Sequence, residues 1–152
     1  MKRIIATIAT LSLLLAGSSL LLAGSPHSTS TVALAGYDAV AYHSQAKAVR
    51  GSGDHIAEYQ GETYLFASED NKKAFERNPS KYAPAFGGFC AYGVSVGKKF
   101  VGDPEVWRIV NGTLYLNLNR QIQSTWKQDI PGNISKAEKN WTEIKDKAPS
   151  DL

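Results

Sequence analysis

The 152 residues carry 17 Lys and Arg against 14 Asp and Glu, a formal charge of +3 that falls to +1 without the two basic residues Lys2 and Arg3. A body so close to neutrality argues against a dedicated nucleic-acid binder. The single cysteine, Cys90, allows no internal disulfide and no structural zinc held by several thiolates.

Met1-Lys2-Arg3 precedes an apolar run from Ile4 to Ala23, interrupted only by Thr, Ser and Gly. That pattern predicts an export signal over residues 1–24, or an uncleaved N-terminal anchor, since about 20 apolar residues can span a bilayer. Ser25 stands where a lipidated cysteine would be needed, and no Arg-Arg pair precedes the run. Residues 25–35 read as linker or signal remnant. Ala33-Leu34-Ala35 fits a small-x-small cleavage site, and a cut near Gly24 is the alternative. The expected address is the periplasm or cell exterior, with membrane contact only through this segment if it stays uncleaved. About 115 residues remain, enough for one domain with one core. It is placed at residues 36–145, with 146–152 as a tail.

Gly36 to Tyr42 reads as a strand or an extended entry, and Gly51-Ser52-Gly53-Asp54 as a loop. Ile56 to Tyr59 and Thr63 to Ala67 form a predicted hairpin around Gln60-Gly61. Ser68 is an N-cap, with Glu69 and Asp70 in a first turn that favours negative charge, for a helix ending near Arg77 before Asn78-Pro79. Ser80 to Tyr82 adds one short turn. Phe86-Gly87-Gly88-Phe89 leads to a short helix opened at Cys90. Val106 to Val110, Asn111-Gly112 and Thr113 to Leu116 predict a second hairpin with a type I′ turn. A helix follows from about Asn119 to Lys127, a break at Pro131, and a last helix from about Ser135 to Lys145. An offset of 51 links Gly61 to Gly112, Tyr64 to Tyr115, Leu65 to Leu116 and Phe75 to Trp126. Either the halves repeat one plan, or two hairpin-helix units merely share Gly and aromatics. In both cases Phe75 and Trp126 are expected to fold back over their own hairpins. The fold class is α+β, one small domain of two hairpin-helix units with additional short helices.

Cys90 lies in Gly87-Gly88-Phe89-Cys90-Ala91-Tyr92-Gly93, where it is a reactive thiol, a soft-metal ligand or a small buried hydrophobe. His43 is a metal ligand or acid–base group, or a hydrogen-bonded residue at a strand end. Together they suit copper or zinc by ligand type, with Asp38 or Tyr42 completing a site; Asp38 otherwise caps a turn. The aromatic set is core, or lines a ligand cleft around Tyr42, Phe89 and Tyr92. His27 belongs to the signal or linker, and His55 to a solvated loop. No Gly-x-Ser-x-Gly elbow, P-loop, dinucleotide fingerprint or Cys-x-x-Cys is present.

Four stretches, Gly36-Tyr37-Asp38-Ala39-Val40-Ala41-Tyr42-His43-Ser44, Tyr59 to Ser68, Phe75 to Pro84 and Gly87-Gly88-Phe89-Cys90-Ala91, together resemble the YHS domain, a small module often associated with metals. The resemblance covers Gly36 to Trp141 and is nearest to exported single-domain members. It implies a non-catalytic accessory protein that takes a transition metal, copper or zinc, and works with a metal-handling or other protein partner. Ala67 and Asn71 depart from the resemblance, which places metal-binding thiols in these neighbourhoods. That leaves Cys90, His43 and Asp38 as the candidate ligands. The alternatives are a metal-free module for a protein or small ligand, with no cofactor, and a thiol-dependent enzyme using Cys90.

Overall fold

The computed structural model describes residues 32–152. The export signal or anchor, His27 and most of the linker lie outside the described residues. Two tight left-handed turns open the two halves of the chain. The first spans Ala33–Gly36, with Leu34, Ala35 and Gly36 at positive φ, and the second spans Ala85–Gly88, with Phe86, Gly87 and Gly88 alike. Each feeds a capped short helix. Asp38 caps α1 (Ala39–Ser44), and Cys90 caps α4 (Ala91–Ser95). The segment before Tyr42 is thus helical at its end, not a strand. The Asp38 cap, with Ala39 and Ala41 behind it as strong helix formers, draws this short apolar run into a helix.

Each half continues into an antiparallel hairpin. β1 (Ser52–Tyr59) pairs with β2 (Glu62–Phe66), and β3 (Asp103–Val110) with β4 (Thr113–Asn117). The two hairpins agree residue by residue at a spacing of 51. Ser52 faces Phe66 and Ile56 faces Leu65 across a bulge; Asp103 faces Asn117 and Trp107 faces Leu116 across another. Both turns place two residues at positive φ, Gln60-Gly61 and Asn111-Gly112, as a type I′ turn requires. Gly51 and Gly102 hold equivalent places, where a Cβ would run into Leu65 and Leu116 respectively. The stretch Gly51 to Asp54 is accordingly not a free loop: Ser52, Gly53 and Asp54 belong to β1.

α2 (Glu69–Arg77) starts at Ser68, whose Oγ accepts the Asn71 amide at 3.2 Å. α3 (Pro79–Tyr82) follows at once. α5 (Arg120–Trp126) starts at Asn119, whose Oδ1 accepts the Ile122 amide at 2.9 Å. α6 (Ile130–Ile144) begins earlier than Pro131 suggests, because proline in a first turn forfeits only an orphan N–H, and Asp129 caps the Gly132 amide at 2.9 Å. Among the described residues no helix is long and apolar enough to cross a membrane.

Phe75 does fold over its own hairpin, 4.5 Å from Tyr64 and 5.1 Å from Phe66, and Trp126 lies 5.7 Å from Tyr115. The second half is a structural repeat of the first. β4 joins them. Leu114 and Leu116 enter a first apolar cluster with α1, β2 and Phe75, whereas Tyr115 enters a second with Phe86, Phe89, Trp126 and Ala137. Alternation along the strand sends consecutive side chains to opposite faces. Ala33 and Leu34, ahead of the Gly36 boundary drawn from the sequence, are buried in the first cluster. A cut after Ala35 would strip both from the core.

Candidate functional site

Asp38 is fully buried, and its carboxylate takes four N–H donors. Oδ1 accepts the amides of Val40 at 2.8 Å and Ala41 at 3.2 Å. Oδ2 accepts the Ala67 amide at 2.8 Å and the Asn71 side-chain amide at 2.7 Å. Ala67 and Asn71, the two positions where the sequence departs from the metal-associated pattern, therefore meet at this one carboxylate. A carboxylate offers about four lone-pair sites, so Asp38 is satisfied as a structural knot between α1, the exit of β2 and α2.

Cys90 occupies the equivalent cap in the second half. Its Sγ accepts the Gly93 amide at 3.4 Å and lies 3.8 Å from Asn117 Oδ1. The residue is 1% exposed. Asn117 is wholly buried, and its Nδ2 has no hydrogen-bond partner. His43 sits in the last turn of α1, not at a strand end, with its ring edge-on to Tyr82 at 5.3 Å. Its Nε2 is buried without a hydrogen-bond partner. Burial, then the positive charge of Lys81, lowers its pKa below the ordinary 6.5. Asp38, His43 and Cys90 are thus held by three different sets of neighbours. Among the described residues no three His, Cys, Asp or Glu side chains gather as a cation site. The donor set fits a bound metal poorly, since two of its three members already serve as helix caps.

The aromatic candidates serve packing. Tyr42 is 1% exposed, donates its hydroxyl to the Pro104 carbonyl at 2.9 Å and meets Trp107 edge-on at 5.1 Å. Phe89 is buried in the second cluster, and Tyr92 packs half-buried against it. His55 is part of β1 and approaches Glu69 at 3.4 Å.

A cleft of about 590 Å³ opens elsewhere, between the start of β2, the chain from Ala83 to Gly87 and the end of α6. Glu62, Tyr64, Phe86, Trp141, Lys145 and Asp146 form most of its lining. Tyr42, Phe89 and Tyr92 are not among its lining residues. Glu62 is 7% exposed and shares the buried face of β2 with Tyr64. Burial first, and then the Glu62 charge, pushes the Tyr64 hydroxyl far above its usual range. Phe86 and Trp141 meet at 5.6 Å with their planes 62° apart. Behind this wall lies Lys99, 5% exposed. Its Nζ donates to the carbonyls of Lys145 at 2.5 Å and Lys147 at 2.7 Å, and stands 5.2 Å from the ring centres of both Phe89 and Trp141. A buried ammonium thus ties down the C-terminal end of α6, where helix carbonyls lack partners of their own. Sequence reasoning does not single out Glu62, and it reads Lys98-Lys99 as a solvated face, which the burial of Lys99 overturns. The signal for Glu62 was its parity: Glu62, Tyr64 and Phe66 share the buried face of β2, an unusual place for a carboxylate.

Residues 40–86 match the family model of the YHS domain. The match spans α1 to the opening turn of the second half and leaves the structural repeat outside it. No curated protein and no solved structure matches the chain.

Proposed function

Starting from a chain that contains a YHS domain at residues 40–86, we propose that this protein is a non-catalytic module that binds a small organic molecule in the cleft beside β2. The observation that carries the reading is the cleft itself. Its 590 Å³ falls within the ~300–1,000 Å³ of small-molecule sites, and its lining combines aromatic rings with a few fixed polar groups. Three separate segments build it, and Lys99 anchors the third. A thermal-shift screen of the full chain against small aromatic fragments tests the reading. Lys145→Trp serves as the blocked variant, since it puts a bulky ring on an exposed rim position. Saturable stabilisation by at least one fragment, absent in Lys145→Trp, is the expected result. Stabilisation that persists unchanged in the variant counts against the cleft.

A transition-metal role through Cys90, His43 and Asp38 is the second reading. The buried, unpartnered Nε2 of His43 favours it, because a ligand there would satisfy that atom. The burial of Cys90 and the four donors on Asp38 weigh against it. Calorimetry with Cu(I), Cu(II) and Zn(II) on wild type and Cys90→Ser separates the two. Tight binding lost in the variant would restore the metal reading.

A further inference from the structure

We propose that the loop from Val96 to Val101 is a membrane-docking edge, which rests on the bilayer that the apolar run Ile4 to Ala23 enters. This edge lies outside the cleft, since none of its residues is among the cleft's lining.

Val101, Val96 and Phe100 are the three most exposed large apolar side chains among the described residues, at 60%, 54% and 47%. They fall on one short loop, and the exposed Lys98 stands between them. Large apolar groups clustered on a surface mark contact with another body, whereas scattered ones do not. The backbone holds the loop in place. Gly97 donates its amide to the Val94 carbonyl at 3.0 Å, Lys98 to the Gly93 carbonyl at 2.9 Å, and Cys90 to the Phe100 carbonyl at 2.8 Å. Phe89 pairs with Val101 in an antiparallel bridge, and the Gly102 amide donates to the Gly88 carbonyl at 3.1 Å. Between Lys98 and Phe100, both exposed, Lys99 turns inward, and the Lys145 and Lys147 carbonyls hold its ammonium. The apolar side chains are therefore displayed by a fixed frame.

Chemistry and chain path together select a lipid surface. An apolar tip with a lysine beside it suits the bilayer interface, where the ring and methyl groups enter the acyl boundary and the ammonium reaches the headgroups. The chain also enters the fold next to this loop. Leu34 and Ala35 line one small pocket together with Val101, Gly102 and Pro104. Leu34 is buried in the core, which fixes the entry point. Only residues 24–31 separate the apolar run from Val32. Fully extended, that stretch reaches at most about 29 Å. A tether so short keeps the loop at high effective concentration beside the bilayer, so a few side chains suffice to dock it. A second copy fits less well, because two-fold pairing through this loop brings Lys98 against Lys98.

The test uses the full, isotopically labelled chain in nanodiscs of phosphatidylcholine and phosphatidylglycerol, with a nitroxide on a fraction of the headgroups. Amide resonances of residues 96–101 are expected to lose at least about half their intensity while those of α2 keep theirs, since an interfacial apolar face lies within about 5–10 Å of the headgroup boundary. The double variant Phe100→Ser, Val101→Ser is expected to stay in the disc and to recover the loop intensity. Broadening that is uniform over the domain, or centred elsewhere, overturns the proposal. Loop broadening that persists in the folded double variant overturns it too, as does a chain that never enters the disc. Loss of loop intensity that tracks protein concentration and not the nitroxide marks a second copy as the occupant and equally overturns it. Should the double variant not fold, Val101→Ser alone, at the most exposed position, is expected to recover part of the intensity, and no recovery there overturns the proposal.

Discussion

Replacing Asp38 with alanine separates a structural carboxylate from a metal-binding one. The side chain accepts two amides at the start of α1 and two further donors from Ala67 and Asn71. Loss of a helix N-cap costs about 0.5–2 kcal/mol. Each buried donor left without a partner costs about 1–3 kcal/mol, and the Ala67 amide and the Asn71 side chain lose theirs together. Partial relaxation and entry of water reduce the sum, so Asp38→Ala is expected to lower unfolding free energy by about 3–5 kcal/mol. That is a large share of the roughly 5–15 kcal/mol typical of a domain. Urea unfolding of the full chain, followed by tryptophan fluorescence with an unchanged m-value, measures it. Ser68→Ala, which removes a single cap bond, is the reference and is expected to cost about 1 kcal/mol. The double variant Asp38→Ala, Asn71→Ala should lose less than the sum of the singles, because the two side chains are direct partners. If Asp38→Ala cost under about 1 kcal/mol, or if a chelator destabilised wild type by as much as the mutation does, the carboxylate would not be the knot described.

Three further outcomes follow from the same geometry. Cys90, 1% exposed and bonded to the Gly93 amide, is expected to resist Ellman's reagent in the native chain and to react fully in denaturant; rapid native labelling contradicts the buried cap. His43 has its pKa lowered in the fold, so the folded state disfavours its protonation relative to the unfolded chain. Its contribution to stability is complete above the unfolded value of 6.5 and is lost as pH falls through the lower folded value. Urea midpoints should decline as pH falls from 6.5 to that lower value and level off below it, and the decline should shrink in His43→Gln; an unchanged profile in the variant would exclude His43 as its source. Gly51→Ala and Gly102→Ala should each destabilise by roughly 1–3 kcal/mol, because both added Cβ atoms meet the partner strand, whereas Gly53→Ala meets nothing within 4 Å and should be tolerated. A large cost at Gly53, or none at either Gly51 or Gly102, would undo the equivalence of the two halves.

Local chemistry made much of this fold legible. Ser68 and Asn119 announced their helices, and Gln60-Gly61 and Asn111-Gly112 announced their hairpins, because cap and turn residues act on neighbours within four positions. The spacing of 51 pointed to the repeat before any coordinate did. What escaped was set by distant partners. α1 is fixed by a carboxylate whose other ligands lie 29 and 33 residues away, so its apolar sequence alone suggested an extended segment. Pro131 was read as a break because its position relative to the Asp129 cap was not apparent. The sequence reading paired Cys90 with His43 by ligand type, yet the two caps Asp38 and Cys90 correspond across the repeat and each turns to its own half. The cleft was hidden for the same reason: Glu62, Phe86 and Trp141 belong to three segments, and only the parity of Glu62 on β2 carried a trace of it.

The most direct measurement is a titration of the full, isotopically labelled chain with the aromatic fragment that gives the largest thermal shift, followed through its amide resonances. The account predicts saturable shifts confined to residues 60–64, 83–87 and 141–146, and their disappearance in Lys145→Trp. Shifts that fail to saturate, or that centre on His43 and Cys90 instead, would contradict it.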